Sequence, residues 1–430
     1  MDSSKFNSPV YVRSRRAYTL ECAFEYFVAL MVADAFLANL LSHMGIEDAV
    51  VGIISSLISL AFLFQLAAIL MVQRIRNVKR IAVSVHSIGQ LFFMLLFLLP
   101  FINIPAPVRT AAVILCVMLG YFGNYTVTSV IFKWGNTFVD PATRANFAGT
   151  KEMISLLSGM VVSLCVGRAV DSFSAAGNLE GGFLFISAVI LLSTLADFIC
   201  LMLMQNPSGT AAPKTDVKPF WQVVRLLLKN KSFVCVVILG ALIYTAIYMT
   251  TGFMGIYKTK DLLLSVGVVQ LINIAGCLAR FFLTKPIARY ADRQSYAKGI
   301  KLGMWIAVVG FALNVFTAPG SWWMVIVFTL IYNVSSAGTG QNMYNIIYSY
   351  VPEEYFVEAS AIKNSVAGLC GFGASVVGGL ILDAVQANGN QLCGIPLHGQ
   401  QLLSAISALI FVVAIIFVSR VLEKQKIVAK

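Results

Sequence analysis

Three carboxylates lie in one long apolar segment near the start of the chain. Glu21, Glu25 and Asp34 all fall within residues 18–42, where most of the other residues are apolar. An ionisable group costs about 2.5–3.5 kcal/mol at the centre of a membrane helix, so each of the three is a candidate for function. A carboxylate in such a position can take up a proton on one side of a membrane and release it on the other. These residues predict coupling to a proton gradient.

Helical spacing sorts the three acids onto two faces. At about 100° per residue, Glu21, Glu25 and Asn39 share one face of a helix. Asp34 lies nine residues after Glu25 and falls on about the opposite face of a straight helix. We favour the face of Glu25 for coupling, because it carries the other polar groups.

The two glutamates also have a structural alternative. Glu21 and Glu25 lie in the inner third of the segment, close to several basic residues. There they would act as anchors by pairing with Arg15, Arg16 or Lys133. The sequence leaves both roles open.

Several other apolar segments carry polar stripes at helical spacing. Amides and phenols hydrogen-bond hydroxyl groups, while ring faces stack on apolar surfaces. That chemistry suits a neutral polar solute such as a sugar or a glycoside. The alternative is that these residues only bridge helices, at under about 1 kcal/mol each. We favour a hydrated cavity lined by Asn39, Tyr121, Asn124, Tyr125, Tyr244, Tyr248, Gln270, Asn273, Gln341 and Asn345.

The composition places these residues in a membrane. Hydrophobic residues make up 59% of the 430 residues and charged residues only 12%, against about a quarter charged in soluble domains. A soluble fold of this composition would expose apolar patches that monomers rarely tolerate. The composition therefore excludes a soluble enzyme, a disordered protein and a disulfide-rich secreted domain.

The apolar segments predict an all-α integral membrane protein. A helix needs about 20 apolar residues to cross the hydrocarbon, whereas barrel strands would alternate in polarity. The segments are continuously apolar, which indicates helices. Twelve spans are predicted, near 18–42, 48–72, 81–101, 108–133, 151–171, 182–204, 233–257, 262–284, 299–318, 322–349, 364–384 and 400–420.

The charge distribution predicts the orientation. The formal net charge is +12, and most Lys and Arg residues lie in the tails and in alternate loops. The positive-inside rule then puts both tails in the cytoplasm. Because this topology explains the charge, we predict no nucleic-acid partner.

Two segments half a chain apart match each other. Lys151, Leu157, Gly159, Ser163, Gly167 and Asp171 recur, at one offset of 212 residues, as Lys363, Leu369, Gly371, Ser375, Gly379 and Asp383. The repeated Gly, Ser and Gly put small residues on one helical face, where they allow close helix packing. An offset of six spans means that both copies cross the membrane in the same direction. This is a parallel repeat of two six-helix halves, related by a pseudo-two-fold axis along the membrane normal.

This organisation resembles the major facilitator superfamily (MFS) over nearly the whole chain. Members carry a Gly-x-x-x-Asp-Arg-x-Gly-Arg-Lys run between spans two and three and a weaker copy between spans eight and nine. The second copy is present here as residues 286–294, while residues 73–80 keep the basic residues but lack the family's Gly and Asp. The resemblance implies a cytoplasmic gate at Arg74, Arg76, Asp292 and Arg293, with an exposed charge pair as the alternative.

The resemblance also implies the domain organisation. We expect a cytoplasmic tail at 1–17, a six-helix bundle at 18–204, a central cytoplasmic loop with an amphipathic helix at 205–232, a second bundle at 233–420 and a cytoplasmic tail at 421–430.

The function implied is secondary active transport by alternating access. We favour uptake of a small polar nutrient coupled to H+ or Na+; a drug or metabolite exporter is the alternative, and a channel is less favoured. Exporters of this superfamily often carry a Gly-Pro motif in span five, and Met160–Val170 contains no Pro. No nucleotide-binding motif occurs and the three His residues are scattered along the sequence, so we predict no cofactor, no metal and no enzymatic activity. We expect a functional monomer in contact with membrane lipid.

Overall fold

The fold was obtained as a computed structural model that describes residues 6–66, 78–140, 144–206, 220–352, 355–392 and 395–425. These residues are almost entirely helical. Two very short strands, β1 (Gln391–Leu392) and β2 (Ile395–Pro396), pair antiparallel in a small hairpin.

The described part of the first half consists mainly of helices. They are α1 (Pro9–Met31), α2 (Asp34–His43), α3 (Asp48–Ser55), α4 (Leu57–Ala61), α5 (Val78–Leu96), α6 (Ala106–Asn136), α7 (Arg144–Ala175) and α8 (Leu179–Leu203).

The second half begins with a short helix and continues with long ones. They are α9 (Phe220–Lys229), α10 (Lys231–Thr250), α11 (Val266–Arg293), α12 (Tyr296–Asn314), α13 (Met324–Tyr350), α14 (Phe356–Ala387) and α15 (Gly399–Arg420). Asn230 separates α9 from α10, and its side chain accepts hydrogen bonds from the backbone N–H groups of Ser232 and Phe233. After α10, short helical turns continue to Asp261.

Most of the predicted spans are helices that can cross a membrane. In the described part of the chain, nine helices are long and apolar enough, and the bent pair α1 and α2 adds a tenth if it forms one span. The spans predicted near 81–101 and 322–349 correspond to α5 and α13, which are not among these helices. Both are helical, but polar residues such as His86 and Gln90 interrupt their apolar sequence. The all-α membrane fold is confirmed, while the number of twelve spans stays a prediction.

The first predicted span is not a straight helix. α1 ends at Met31, α2 begins at Asp34, and the two axes differ by 41°. Asp34 has φ of +45°, in the left-handed region that side chains other than Gly rarely adopt. The prediction that Asp34 lies on the face opposite Glu25 assumed a straight helix. Because the helix bends between the two residues, their spacing in the sequence does not define their relative faces. At the first residue of α2, its carboxylate interacts favourably with the helix dipole.

The chain divides into two units by its internal contacts. The first comprises residues 1–45 and 64–217, and the second comprises residues 46–63 and 218–430. In the first unit, α1 packs on α7 and α8, and α5 packs on α6 and α8. In the second unit, α10 packs on α14 and α15, and α12 packs on α13 and α15. The pattern of neighbours is therefore the same in the two units, as a repeat requires.

Residues from span two belong to the second unit. α3 and α4 pack against α14, and Asp48 at the start of α3 forms a 2.7 Å ion pair with Lys260. Gln386 of α14 donates a hydrogen bond to the same carboxylate at 3.2 Å. These polar contacts hold residues 46–63 in the second unit.

Each unit has its own apolar core and an apolar outer surface. The first core includes Tyr18 and Trp134, and the second includes Phe233 and Phe311. Large apolar side chains are also exposed along the long helices, for example Leu192 and Leu409, each 66% exposed. In a membrane protein such residues face lipid, which is as apolar as the core.

Glycines allow close helix contact at equivalent places in the two units. A Cβ atom on Gly89 of α5 would lie 2.8 Å from the Cα atom of Gly123 in α6. A Cβ atom on Gly338 of α13 would lie 2.7 Å from the Cα atom of Gly303 in α12. At both contacts the backbones approach too closely for any larger residue.

We predict that Gly338→Val destabilises the protein. The added side chain would force α12 and α13 apart, and overpacking typically costs about 1–3 kcal/mol. The measurement is the thermal unfolding temperature of purified protein in detergent. Gly340→Val is the matched control, because nothing lies within 4 Å of a Cβ atom at Gly340. Equal unfolding temperatures for the two variants would contradict the close contact.

Candidate functional site

Three ionisable side chains meet inside the first unit. Glu21 of α1, His86 of α5 and Asp197 of α8 are each at most 1% exposed. One potential ligand atom from each lies within 4.8 Å of the others. The closest pair is His86 Nε2 and Asp197 Oδ2, at 3.0 Å. We call these three residues the acid–histidine cluster.

An amide and a hydroxyl extend the cluster. Gln90 Nε2, one turn along α5 from His86, lies 2.8 Å from His86 Nε2 and donates to Asp197 Oδ2 at 3.4 Å. Thr194 Oγ1 donates to Gln90 Oε1 at 3.0 Å. A glutamine amide can present either its nitrogen or its oxygen, and a hydroxyl can donate or accept. By turning its amide, Gln90 can therefore serve His86 whether its Nε2 is protonated or not, and Thr194 can serve either orientation of that amide.

The cluster keeps unused hydrogen-bonding capacity. In the described residues, His86 Nδ1 and Asp197 Oδ1 are buried and have no hydrogen-bond partner. Leaving such a group unsatisfied costs about 1–3 kcal/mol. Atoms of this kind in a native structure require an explanation, and a role in proton transfer or ligand binding is one.

Glu25 connects the cluster to a less buried region. It lies one helical turn after Glu21 on α1 and is partly exposed. It interacts electrostatically with His86, Asp197 and Lys151. The Glu25 carboxylate is thus the less buried neighbour of the cluster.

Lys151 of α7 lies beside the same part of α1. Its Nζ atom donates to Tyr18 Oη and to Cys22 Sγ, each at 3.1 Å, and lies 4.4 Å from the centroid of the Tyr18 ring. Cys22 Sγ in turn donates to Glu21 Oε2 at 3.1 Å. Lys151 therefore reaches Glu21 through one thiol. Besides its three members, the titratable groups that interact with the cluster or with its neighbours are Tyr18, Cys22, Glu25, Lys151 and Cys200.

The cluster also has donor atoms that can ligate a metal. One imidazole nitrogen with two carboxylates suits first-row divalent ions. The three residues provide one ligand atom each, and a tetrahedral site needs a fourth. Gln90 could supply it only by turning its amide oxygen towards His86.

Sequence analysis missed His86 and Asp197 as site residues. The acid–histidine cluster comes from three helices that are far apart in the chain, so no local spacing reveals it. Two signals pointed to it: Asp197 is charged within a very apolar span, and His86 and Gln90 are polar residues one turn apart in another.

The predicted cavity residues lie on helices of both units. In the first unit, the rings of Tyr121 and Tyr125 are 6.0 Å apart, and Asn124 Oδ1 has no partner among the described residues. In the second unit, the rings of Tyr244 and Tyr248 are 5.7 Å apart. The remaining predicted residues are Asn39 on α2, the buried Gln270 and the partly exposed Asn273 on α11, and Asn345 on α13, while the side chain of Gln341 lies outside the described residues. Their role in solute binding stays a prediction.

The predicted gate is only partly described. Arg74 and Arg76 lie outside the described residues, as does the side chain of Asp292. Arg293 is exposed at the last residue of α11. The gate stays a prediction.

The small residues of the repeat lie in helix contacts. Gly159 faces Tyr26 of α1, and Gly371 faces Tyr248 of α10. Ser163 and Gly167 are buried. In the second copy, Ser375 donates to the carbonyl of Gly52 at 3.4 Å, and Gly379 faces Ile53.

Known proteins share this fold. The family model described as Major Facilitator Superfamily matches residues 22–375. No curated protein matches the chain. Among solved structures, a mutant of the nucleoside transporter NupG has a TM-score of 0.73 at 13% identity, covering 95% of this chain and 99% of that one. A bacterial homologue of the human lysosomal transporter Spinster has a TM-score of 0.66 at 16% identity, covering 99% of each chain.

A D-xylose–proton symporter is similar to a comparable degree. Its TM-score is 0.64 at 15% identity, and the match covers 93% of this chain and 97% of that one. At such low identity these structures show the fold and not the substrate. The match of the family model covers most of the chain, and with the two helical units described above it identifies this protein as a multi-pass membrane transporter that belongs to the Major Facilitator Superfamily.

Proposed function

We propose that this protein is a secondary active transporter that takes up a small polar organic solute together with protons. The observation that carries the proposal is the acid–histidine cluster, in which Glu21, His86 and Asp197 meet in the interior of the first unit. Ionisable residues inside membrane segments are costly, and they mark proton relays in pumps and transporters. The fold of a transporter and a buried proton-binding cluster together support proton-coupled transport.

The chemistry of the cluster favours H+ over Na+. Hard cations are held by several oxygen ligands, whereas this cluster centres on the 3.0 Å contact between an imidazole nitrogen and a carboxylate. Histidine is suited to proton exchange because it takes up and releases a proton in the physiological pH range. The amide of Gln90 can accommodate both forms of His86, so a proton can come and go without breaking the network.

Glu25 supplies a route for the proton. It is partly exposed and interacts electrostatically with His86 and Asp197. A proton that binds first at Glu25 can move to the cluster, where it reduces the buried negative charge. Alternating access then exposes Glu25 to opposite sides of the membrane in turn. We place the protein in the cell membrane as a monomer with both tails in the cytoplasm, following the predicted topology.

Proton influx on addition of solute tests this function. Purified protein is reconstituted into liposomes loaded with the pH dye pyranine, at equal internal and external pH. The probes are D-glucose, D-xylose, methyl β-D-glucoside, D-gluconate and D-glucuronate, each added outside. We expect at least one probe to acidify the interior of the liposomes, and no response in empty liposomes.

Two further conditions separate protons from other coupling ions. Replacing Na+ by K+ should leave the acidification unchanged, and so should the chelator EDTA. A response that requires Na+ or is lost with EDTA contradicts proton coupling and favours a cation at the cluster. Acidification by none of the probes also counts against the proposal.

A further inference from the structure

A lysine is buried within the second unit. Lys363 of α14 is only 4% exposed. Its Nζ atom donates to the backbone carbonyl of Met343 at 3.2 Å and lies 4.4 Å from the centroid of the Tyr344 ring. Both of these neighbours belong to α13. Gly240 of α10 lies along the aliphatic part of the lysine side chain.

Lys363 has no acidic partner in the part of the chain that the structure describes. Within the residues that the structure describes, it forms no ion pair and no further hydrogen bond beyond the one to Met343. A buried charge is costly unless it is paired. A cation over an aromatic ring recovers only part of that cost. The charge is therefore only partly compensated by the protein.

The repeat provides an internal comparison. Lys151, the counterpart of Lys363, lies 5.7 Å from the ring centroid of Phe132, which precedes Tyr344 by the same offset of 212 residues. Lys151, however, contacts the thiol of Cys22 and interacts with Glu25. The repeat thus keeps the lysine and an aromatic ring in both units, while among the described residues only Lys151 interacts with a carboxylate. A ligand can therefore supply the counter-charge in the second unit.

The phenol of Tyr344, beside Lys363, can donate a hydrogen bond to an anionic oxygen. Tyr344 interacts electrostatically with Tyr244, which also interacts with Tyr332, and Tyr332 interacts with Arg280 of α11. Phenol groups donate hydrogen bonds, and bonds to an ionised acceptor are about twice as strong as neutral ones. Arg280 is a second cation, and it forms no ion pair among the described residues.

We propose that Lys363 binds an anionic group of the transported solute, a carboxylate or a phosphate, so that the solute is an organic anion. This inference rests on the proposed transport function but not on its proton coupling. It departs from the neutral solute that the polar stripes favoured, because those stripes recognise hydroxyl groups and do not account for Lys363. A hydroxylated acid satisfies both sets of residues.

Matched pairs of probes test the charge of the solute. The full-length protein in detergent is titrated with D-gluconate against D-glucitol, D-glucuronate against D-glucose, and D-glucose 6-phosphate against D-glucose. The readout is the shift in thermal unfolding temperature, since a ligand that binds the folded state stabilises it. We expect at least one anion to stabilise the protein and its neutral counterpart not to. The carboxylate and phosphate probes distinguish the two kinds of anionic group.

Variants assign the effect to Lys363. In Lys363→Gln we expect the apparent dissociation constant of the stabilising anion to rise at least tenfold, while Lys363→Arg, which keeps the charge, retains more of the affinity. Lys298→Gln is the matched control, because Lys298 is exposed in the same unit. Size-exclusion chromatography checks that each variant is folded. If Lys363→Gln does not fold, Lys363→Arg serves in its place. It should still be stabilised by the anion and not by the neutral counterpart of that anion.

Three results would overturn the inference. They are equal stabilisation by an anion and its neutral counterpart, unchanged anion affinity in Lys363→Gln, and stabilisation by none of the three anions. Proton influx with a neutral probe would refute the role of Lys363 and leave the proposed function standing. Stabilisation by an anion without proton influx would refute the proposed proton coupling and leave the role of Lys363 standing.

Discussion

Glu25→Gln is expected to abolish solute accumulation driven by a proton gradient and to leave solute exchange intact. The amide cannot release a proton, so the cluster loses its less buried neighbour and the coupled step fails. Exchange of labelled for unlabelled solute needs no net proton movement and should continue. Both are measured in proteoliposomes with a probe that gives proton influx, under an imposed gradient for accumulation and without one for exchange.

The control for this variant is another glutamate of the same unit. Glu180 is 54% exposed and lies in the first turn of α8, so Glu180→Gln removes a charge without touching the cluster. It should accumulate solute as the unaltered protein does. We expect Glu21→Gln to resemble Glu25→Gln, since both acids face His86. Unchanged accumulation in both Glu21→Gln and Glu25→Gln would remove α1 from the coupling role.

The second large effect is expected on stability, for Asp197→Leu. Asp197 and His86 are completely buried and 3.0 Å apart. Removing one member of such a pair typically costs about 3–5 kcal/mol, because its partner stays buried without compensation. The thermal unfolding temperature in detergent should therefore fall strongly.

The double variant His86→Leu with Asp197→Leu tests the reason for that loss. Replacing both members by apolar residues removes the unpaired group, so we expect the double variant to be more stable than Asp197→Leu alone. It should still fail to couple solute movement to protons. The unfolding temperature of His86→Leu alone is measured as well. If the loss in the double variant equals the sum of the losses in the two single variants, the two residues do not act as a pair.

The two units differ in the charges that they bury. Among the described residues, the first unit buries the acids Glu21 and Asp197 with His86, and the second buries Asp48, which pairs with Lys260, together with Lys258 and Lys363. Under the proposals above, the acids of the first unit carry the proton and Lys363 carries the anionic group. Moving H+ together with an organic anion of charge −1 would transfer no net charge, so the membrane potential would not oppose uptake.

The sequence alone determined the class of protein. Apolar segments of about 20 residues define membrane helices because the thickness of the hydrocarbon sets their length. Such a segment can be recognised from consecutive residues without knowledge of the fold. The repeat was equally visible, since six identities share one offset from Lys151 to Lys363. Glu21 and Glu25 could be selected as candidates because a charge in an apolar segment stands out in any sequence.

Only the tertiary structure decided how these residues are arranged. The meeting of Glu21, His86 and Asp197 depends on how three helices are rotated and how deep each lies, and an apolar segment specifies neither. The bend before Asp34 and the packing of α3 and α4 in the second unit are likewise not visible in an apolar segment. The neighbours of Lys363 come from α10 and α13, so they too become apparent only in the folded chain.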